Sequence, residues 1–190
     1  MKTIYLVRHG EAIDDVEDLY GGAADHAPTK KSLKEAAEFG ETFKDKSVGV
    51  VIASPYQRAR KPAEIIAENL RVPLETEDGL REKNRYGRLT GMKKSEAKSK
   101  FPEIVAELER NEDIEGAEPE KDFCKRVRDA LDKIWQREEN TILVLTHMGV
   151  IRAGLGFRFG EIKVDHYGWV KIAKKDDKWE ILESRGLKFL

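Results

Sequence analysis

Two histidines and two arginines in this chain stand just beyond runs of apolar residues. They are Arg8 and His9 after residues 3–7, Arg58 shortly after residues 48–53, and His147 shortly after residues 141–145. A guanidinium group is a planar fork that matches phosphate oxygens, and a neutral imidazole can attack phosphorus as a nucleophile. Together, these residue types favour the chemistry of phosphoryl transfer.

Two other kinds of site use some of the same residues. A metal site would need carboxylates or thiolates beside the histidines, and the fixed positive charge of Arg8 next to His9 opposes a cation. A serine nucleophile at Ser54 would need a neighbouring base, and the sequence around it lacks the Gly-x-Ser-x-Gly turn. Neither alternative explains both arginines, so an anion site is the better interpretation.

The apolar runs themselves indicate how these residues are brought together. Continuous Val, Ile and Leu residues are typical of strands buried on both faces of a parallel sheet, whose ligands collect at the carboxyl ends of the strands. Between the runs, helical spacing predicts helices over 32–43, 62–70, 95–110, 118–137 and 149–157. Segments 167–173 and 179–183 alternate around a charged turn, which predicts a terminal hairpin. The predicted class is α/β with an antiparallel edge.

Length and composition set further bounds. A chain of 190 residues can form one sizeable core, so residues 1–190 are expected to form a single domain. The net charge of -1 gives no sign of a nucleic-acid partner, and Cys124, as the single cysteine, cannot form an internal disulfide. No apolar stretch approaches the ~18 residues that a membrane span needs. We therefore expect a soluble, cytoplasmic protein without a membrane partner.

A glycine-containing loop over residues 78–94 has an excess of positive charge. Residues 81–94 contain one acid, Glu82, and six basic residues: Arg81, Lys83, Arg85, Arg88, Lys93 and Lys94. Two hypotheses account for this charge. The loop forms one wall of the site, where Arg85 and Arg88 select substrates with a second anionic group, or its charges lie in solvent as part of an ordinary surface.

Four stretches together resemble the histidine phosphatase superfamily, in its phosphoglycerate-mutase-like branch. They are Arg8-His9-Gly10-Glu11, Ser54-Pro55-Tyr56-Gln57-Arg58-Ala59, the later Glu82, and Thr146-His147-Met148-Gly149-Val150-Ile151-Arg152. The resemblance spans nearly the whole chain. It implies a three-layer α/β/α sandwich with a mostly parallel sheet, and a small-molecule phosphoester as the substrate.

The resemblance also implies a role for each matching residue. His9 would take the phosphoryl group, Arg8, Arg58 and His147 would hold its oxygens, and Glu82 would protonate the leaving oxygen and then activate water. No metal ion or organic cofactor is implied. Glu11, beside the nucleophile, is a second candidate acid and a candidate substrate contact.

The protonation states of the two histidines are expected to differ. We expect a backbone carbonyl such as that of Gly10 to hold one nitrogen of His9, and a dianionic phosphate to keep His147 protonated. His166, on the late strand, is interpreted as a structural residue.

Three functions remain open at this point. Phosphoglycerate mutases carry a Trp-Asn-containing stretch after the first motif, whereas residues 12–21 here contain neither residue, and the chain is shorter than the usual mutase. Both differences favour hydrolysis of a small phosphorylated metabolite. The alternatives are a phosphoglycerate-type mutase and a phospho-ligand-binding module without turnover.

Overall fold

A single six-stranded sheet organises the computed structural model, which describes all residues from 1 to 190. Its strands are β1 (Thr3–Arg8), β2 (Val50–Ala53), β3 (Leu74–Thr76), β4 (Thr141–Thr146), β5 (Ile162–Lys175) and β6 (Lys178–Phe189). They lie in the order β3-β2-β4-β1-β5-β6. The first four strands are parallel, while β5 runs antiparallel to β1 and β6 antiparallel to β5. The predicted α/β class with an antiparallel edge is confirmed.

Seven helices accompany the sheet. They are α1 (Ile13–Val16), α2 (Lys30–Glu41), α3 (Gln57–Leu70), α4 (Lys94–Lys100), α5 (Pro102–Glu109), α6 (Glu120–Trp135) and α7 (Met148–Gly154). Alternate residues of β1 face opposite layers, so that Ile4 and Leu6 pack in one apolar cluster with α6 and α7, and Tyr5 and Val7 in another with α2 and α3. This arrangement is the predicted three-layer sandwich. No helix is both long and apolar enough to cross a bilayer.

The structure divides one predicted helix and adds two elements. The segment predicted as a helix over 95–110 is two helices, because Pro102 has no amide hydrogen for a continuing helix and instead begins α5. Strand β3 and the one-turn helix α1 were not predicted. Helix α3 begins at Gln57, whose amide donates to the Asp25 carboxylate, and so it starts five residues before the predicted 62.

The register of the parallel strands aligns their carboxyl ends. Arg8 pairs with Thr146 across β1 and β4, and Ala53 pairs with Leu145 across β2 and β4. The next residues, His9 and Ser54, donate their backbone amides to Thr146 and Leu145 carbonyls at 2.9 Å. The segments that carry the candidate site residues therefore leave the sheet at one edge.

Candidate active site

His9 is held in one tautomer by its own loop. The residue is 7% exposed, and its Nδ1 lies 2.7 Å from the Gly10 carbonyl oxygen. A carbonyl can only accept, so Nδ1 carries the proton and Nε2 keeps a lone pair. Burial lowers the pKa of His9 well below its ordinary value, and the positive charges of Arg58 and Arg8 lower it further. The expected bond to Gly10 is confirmed, and the imidazole is neutral.

His147 lies beside His9, with the ring centroids 5.0 Å apart. It is fully buried, its Nε2 shares a 2.7 Å hydrogen bond with Ser54 Oγ, and its Nδ1 has no partner. Burial lowers the pKa of His147 well below its ordinary value, with further lowering by Arg58 and His9. Burial among cations thus favours the neutral ring, and the imidazolium that is expected beside a dianionic phosphate stays a prediction.

Arg8 brings a second buried donor without a partner. Its Nη1 donates to the Val164 carbonyl at 2.8 Å, whereas its buried Nε has no hydrogen-bond acceptor. Burial lowers the pKa of Arg8, but a guanidinium group stays charged at any ordinary pH. Arg8 Nε and His147 Nδ1 are thus two buried nitrogens at this edge of the sheet that an anion can satisfy.

Arg58 donates hydrogen bonds to backbone carbonyls, whereas the sequence resemblance implied that it holds phosphoryl oxygens. It lies in the first turn of α3, is 2% exposed, and donates to the carbonyls of Gly22 and Ala24 at 2.6 and 2.5 Å. Its terminal nitrogens therefore fix the loop over 22–24. Its charge acts on the site in a second way, since it is the largest influence after burial on the pKa of both histidines.

The two candidate acids have different surroundings. Glu82 accepts from the Gly149 amide at 3.0 Å and from the Lys83 amide at 2.8 Å, next to the start of α7. A Cβ at position 149 would lie 2.2 Å from Glu82 Oε1, so this approach requires glycine. Glu11 instead accepts from the Thr29 hydroxyl at 3.0 Å and thereby ties the first loop to the N-terminus of α2. Glu82 thus lies at the start of α7, and Glu11 lies at the start of α2.

The loop that carries Glu82 is anchored to α6 by Arg126. This guanidinium donates to the carbonyls of Gly79 (3.0 Å), Arg81 (2.7 Å) and Glu82 (3.3 Å), and it pairs with Glu118 at 2.6 Å. Sequence reasoning did not identify Arg126, because its partners are backbone atoms more than forty residues away in the chain.

Two further residues, His166 and Ser54, lie beside His9 and His147. The ring of His166 stacks toward His9 at a centroid distance of 6.4 Å, and its Nε2 is 3.6 Å from Asp15 Oδ2. Ser54, considered above only as a nucleophile, contacts His147. The antiparallel pairing of β5 with β1 brings His166 to the same sheet edge, and this pairing was the missing signal.

The basic loop divides into residues inside and outside a large cavity. A cavity of about 890 Å³ adjoins Glu82 and Gly149 and is lined by Arg85, whose guanidinium lies 3.7 Å from the centroid of the Phe159 ring. Arg88 is not among the lining residues, since it pairs with Glu115 at 3.6 Å and lies over Phe101. Of the two predicted contacts, the structure places only Arg85 at the cavity.

Comparisons with known proteins find matches over most of this chain. A model of the histidine phosphatase superfamily (branch 1) matches residues 4–184. The chain is 30% identical to "Uncharacterized phosphatase PhoE" of Bacillus subtilis, over 80% of this chain and 75% of that protein. It is 32% identical to a 2,3-bisphosphoglycerate-dependent phosphoglycerate mutase of Allorhizobium ampelinum, over 80% of this chain and 76% of that protein. The solved structure of Bacillus stearothermophilus YhfR has the same fold, with a TM-score of 0.85, 22% identity and 96% coverage of both chains.

Proposed function

This chain belongs to the histidine phosphatase superfamily, and on that premise we propose that it hydrolyses phosphomonoesters of small metabolites through a phosphohistidine on His9. One observation carries the proposal. The Nδ1 proton of His9 is bonded to the Gly10 carbonyl, which leaves the Nε2 lone pair of a neutral ring free to attack.

The first step transfers the phosphoryl group to the protein. A bond forms between His9 Nε2 and phosphorus while the bond from phosphorus to the leaving oxygen breaks, and the Glu82 carboxyl gives its proton to that oxygen. Arg8 Nε and His147 Nδ1 supply the unpartnered buried donors for the phosphoryl oxygens. Donors that are already in place need no reorganisation as charge shifts in the transition state, which makes them effective catalysts.

The second step releases phosphate. Water attacks phosphorus, the Glu82 carboxylate takes the proton from that water, and the bond to His9 Nε2 breaks. Phosphate monoesters hydrolyse so slowly in water that enzymes accelerate the reaction by up to ~10²¹-fold. Dividing the displacement into two steps lowers the barrier that each step must cross. The sequence of steps returns His9 to its neutral form and Glu82 to its protonated form.

A mutase remains the second candidate, because a phosphoglycerate mutase is among the relatives with about one third identity. A mutase would return the phosphoryl group from His9 to another hydroxyl, whereas a phosphatase would give it to water. The products therefore separate the two functions. Free phosphate supports the phosphatase, and an isomeric phosphoester without free phosphate supports the mutase.

The first prediction concerns the covalent intermediate. Rapid quenching in alkali during turnover should trap an acid-labile phosphohistidine in the unaltered protein, and none in His9→Ala, whose turnover should fall below a few per cent. Circular dichroism should show that His9→Ala is folded, since His9 lies at the sheet edge and outside the apolar clusters. EDTA should leave the rate unchanged. A phosphorylated His9→Ala protein, or activity lost in EDTA and restored by a divalent ion, would contradict the mechanism.

A further inference from the structure

The cavity beside Glu82 is larger than a three-carbon phosphoester needs. Its volume of about 890 Å³ is in the range of sites that enclose drug-sized ligands. Glu82 and Gly149 line it, while His9 and His147 are not part of its lining. The cavity therefore adjoins the proposed proton donor and is not bounded by the nucleophile, as is expected of a site for the leaving group.

The charges that line this cavity do not cancel. It contains four acids, Glu82, Glu112, Asp113 and Glu120, and six cations, Lys83, Arg85, Arg128, Arg152, Arg158 and Lys163. Lys83 and Arg152 both pair with Glu120, at 2.9 and 2.7 Å, and Lys83 also lies 3.9 Å from Asp113. Glu112 pairs with Arg110 outside the cavity. Arg85 donates to the neutral side chain of Asn111, and the other three cations form no ion pair. Arg85 in the loop, Arg128 in α6, Arg158 before β5 and Lys163 within β5 are thus free to bind an anion.

The same cavity also has an exposed apolar side. Phe159 is 61% exposed although it lines the cavity, and one face of its ring is covered by the Arg85 guanidinium. Phe157 and the exposed Leu190 line the cavity near it. An exposed aromatic ring beside unpaired cations favours a ligand that combines a flat apolar part with negative charge.

We propose that this cavity binds the leaving group of the substrate, and that the leaving group is longer than three carbons, with a flat apolar part against Phe159 and a second anionic group near Arg128, Arg158 and Lys163. The proposal rests on the proposed phosphatase function and names its substrate class. It also revises the role of the basic loop, because three of the four free cations lie outside residues 81–94.

Three synthetic esters test the apolar and the anionic parts separately. They are phenyl phosphate, 2-naphthyl phosphate, and 2-naphthyl phosphate with a carboxylate on the far ring. Phe159→Ala should reduce kcat/KM about ten-fold for both naphthyl esters, and Arg128→Gln should do so only for the carboxylated one, mainly through KM. For each variant the loss for phenyl phosphate should be smaller, because this ester has only one ring to pack on Phe159 and no second anionic group for Arg128. Lys93→Gln, a change of an exposed cation outside the cavity, serves as the control. Equal losses for all three esters, or none, would overturn the proposal.

A binding measurement separates this inference from the proposed function. Calorimetry with the His9→Ala protein and carboxylated 2-naphthol, the alcohol without its phosphate, needs no turnover. We expect binding that weakens about ten-fold when Phe159→Ala or Arg128→Gln is added. Failure of the unaltered protein to hydrolyse any ester would refute the phosphatase and leave this binding intact. Absence of binding, or binding indifferent to both substitutions, would refute the cavity assignment.

Discussion

At the scale of single residues, Nε2 of His147 is hydrogen-bonded and Nδ1 has no hydrogen-bond partner. A neutral imidazole has one N–H, so the position of that proton decides what His147 offers to an anion. Ser54 Oγ already accepts the Tyr56 amide at 3.4 Å, and we expect its hydroxyl proton to bond to His147 Nε2. His147 would then carry its own proton on Nδ1. Ser54 is on this argument a positioning residue for the phosphoryl-binding donor.

Changing Ser54 should therefore alter the tautomer of His147. Nitrogen NMR of the ligand-free protein should show Nδ1 protonated and Nε2 as an acceptor, and Ser54→Ala should give a mixture of both forms. We expect kcat/KM to fall in proportion to the fraction of molecules that lose the Nδ1 proton, about two-fold for an equal mixture.

Two observations check this prediction on Ser54. Ser54→Thr keeps a hydroxyl and should restore the Nδ1 tautomer if the fully buried site accepts the added methyl group, which thermal unfolding will report. A ligand-free protein with its proton on Nε2 would show that Ser54 accepts from His147, and the prediction would then be wrong.

At the scale of elements, the buried strands were easier to predict than the segments between them. Strands β1 and β4 each contain a run of four buried apolar residues, 4–7 and 142–145, a pattern that needs no knowledge of partners. The short β3 has an intermediate and two exposed residues and depends on pairing with β2. The break at Pro102 follows from local chemistry and was available in the sequence. The two 3₁₀ turns in the Glu82 loop, at 78–80 and 87–89, lack any such periodic signal.

The anchoring of the Glu82 loop to α6 leads to a prediction on Arg126. Arg126→Met removes the donors to three loop carbonyls and should let Glu82 move away from the leaving oxygen. We expect kcat for an alkyl phosphate to fall about ten-fold or more, because an alkoxide needs a proton to leave. p-Nitrophenolate leaves without a proton, so kcat for p-nitrophenyl phosphate should change much less.

The comparison of the two esters distinguishes positioning from general damage. Lys125→Met, which removes an exposed pair with Asp129 on the same helix, is the matched control and should leave both rates unchanged. Arg126→Lys should recover part of the alkyl phosphate rate. An equal fall in both rates for Arg126→Met would indicate damage to the whole site instead of a displaced acid.

At the scale of the whole molecule, the site combines parts that the sequence predicts with parts that only the sheet order supplies. His9, Arg58 and His147 were identified because each follows a recognisable strand and matches a family motif. His166 and Arg126 act at or near the same place through pairings with segments remote in sequence. Burial is the other property that is not evident from the sequence, and it lowers the pKa of His147, which is expected to be protonated beside a phosphate. Charge states depend on the assembled surroundings of a group more than on its neighbours in the chain.

The two buried histidines should make the stability of the protein fall on mild acidification. Their pKa values are well below 6.5 in the folded protein, whereas the unfolded chain titrates at about 6.5. Below that pH the unfolded chain binds protons that the folded protein does not, so the free energy of unfolding decreases, by at most about 1.4 kcal/mol per pH unit for each histidine. Above pH 6.5 neither histidine changes stability. Glu120, whose pKa is brought to about 2 by Lys83 and Arg152 against the opposing effect of burial, acts only at lower pH. Urea unfolding at pH 7.5, 6.5 and 5.5 measures how the free energy of unfolding depends on pH. His147→Gln should reduce this slope by up to the contribution of one proton taken up on unfolding. A free energy that is constant over this range, or the same slope in His147→Gln, would show that His147 is not held neutral by the fold.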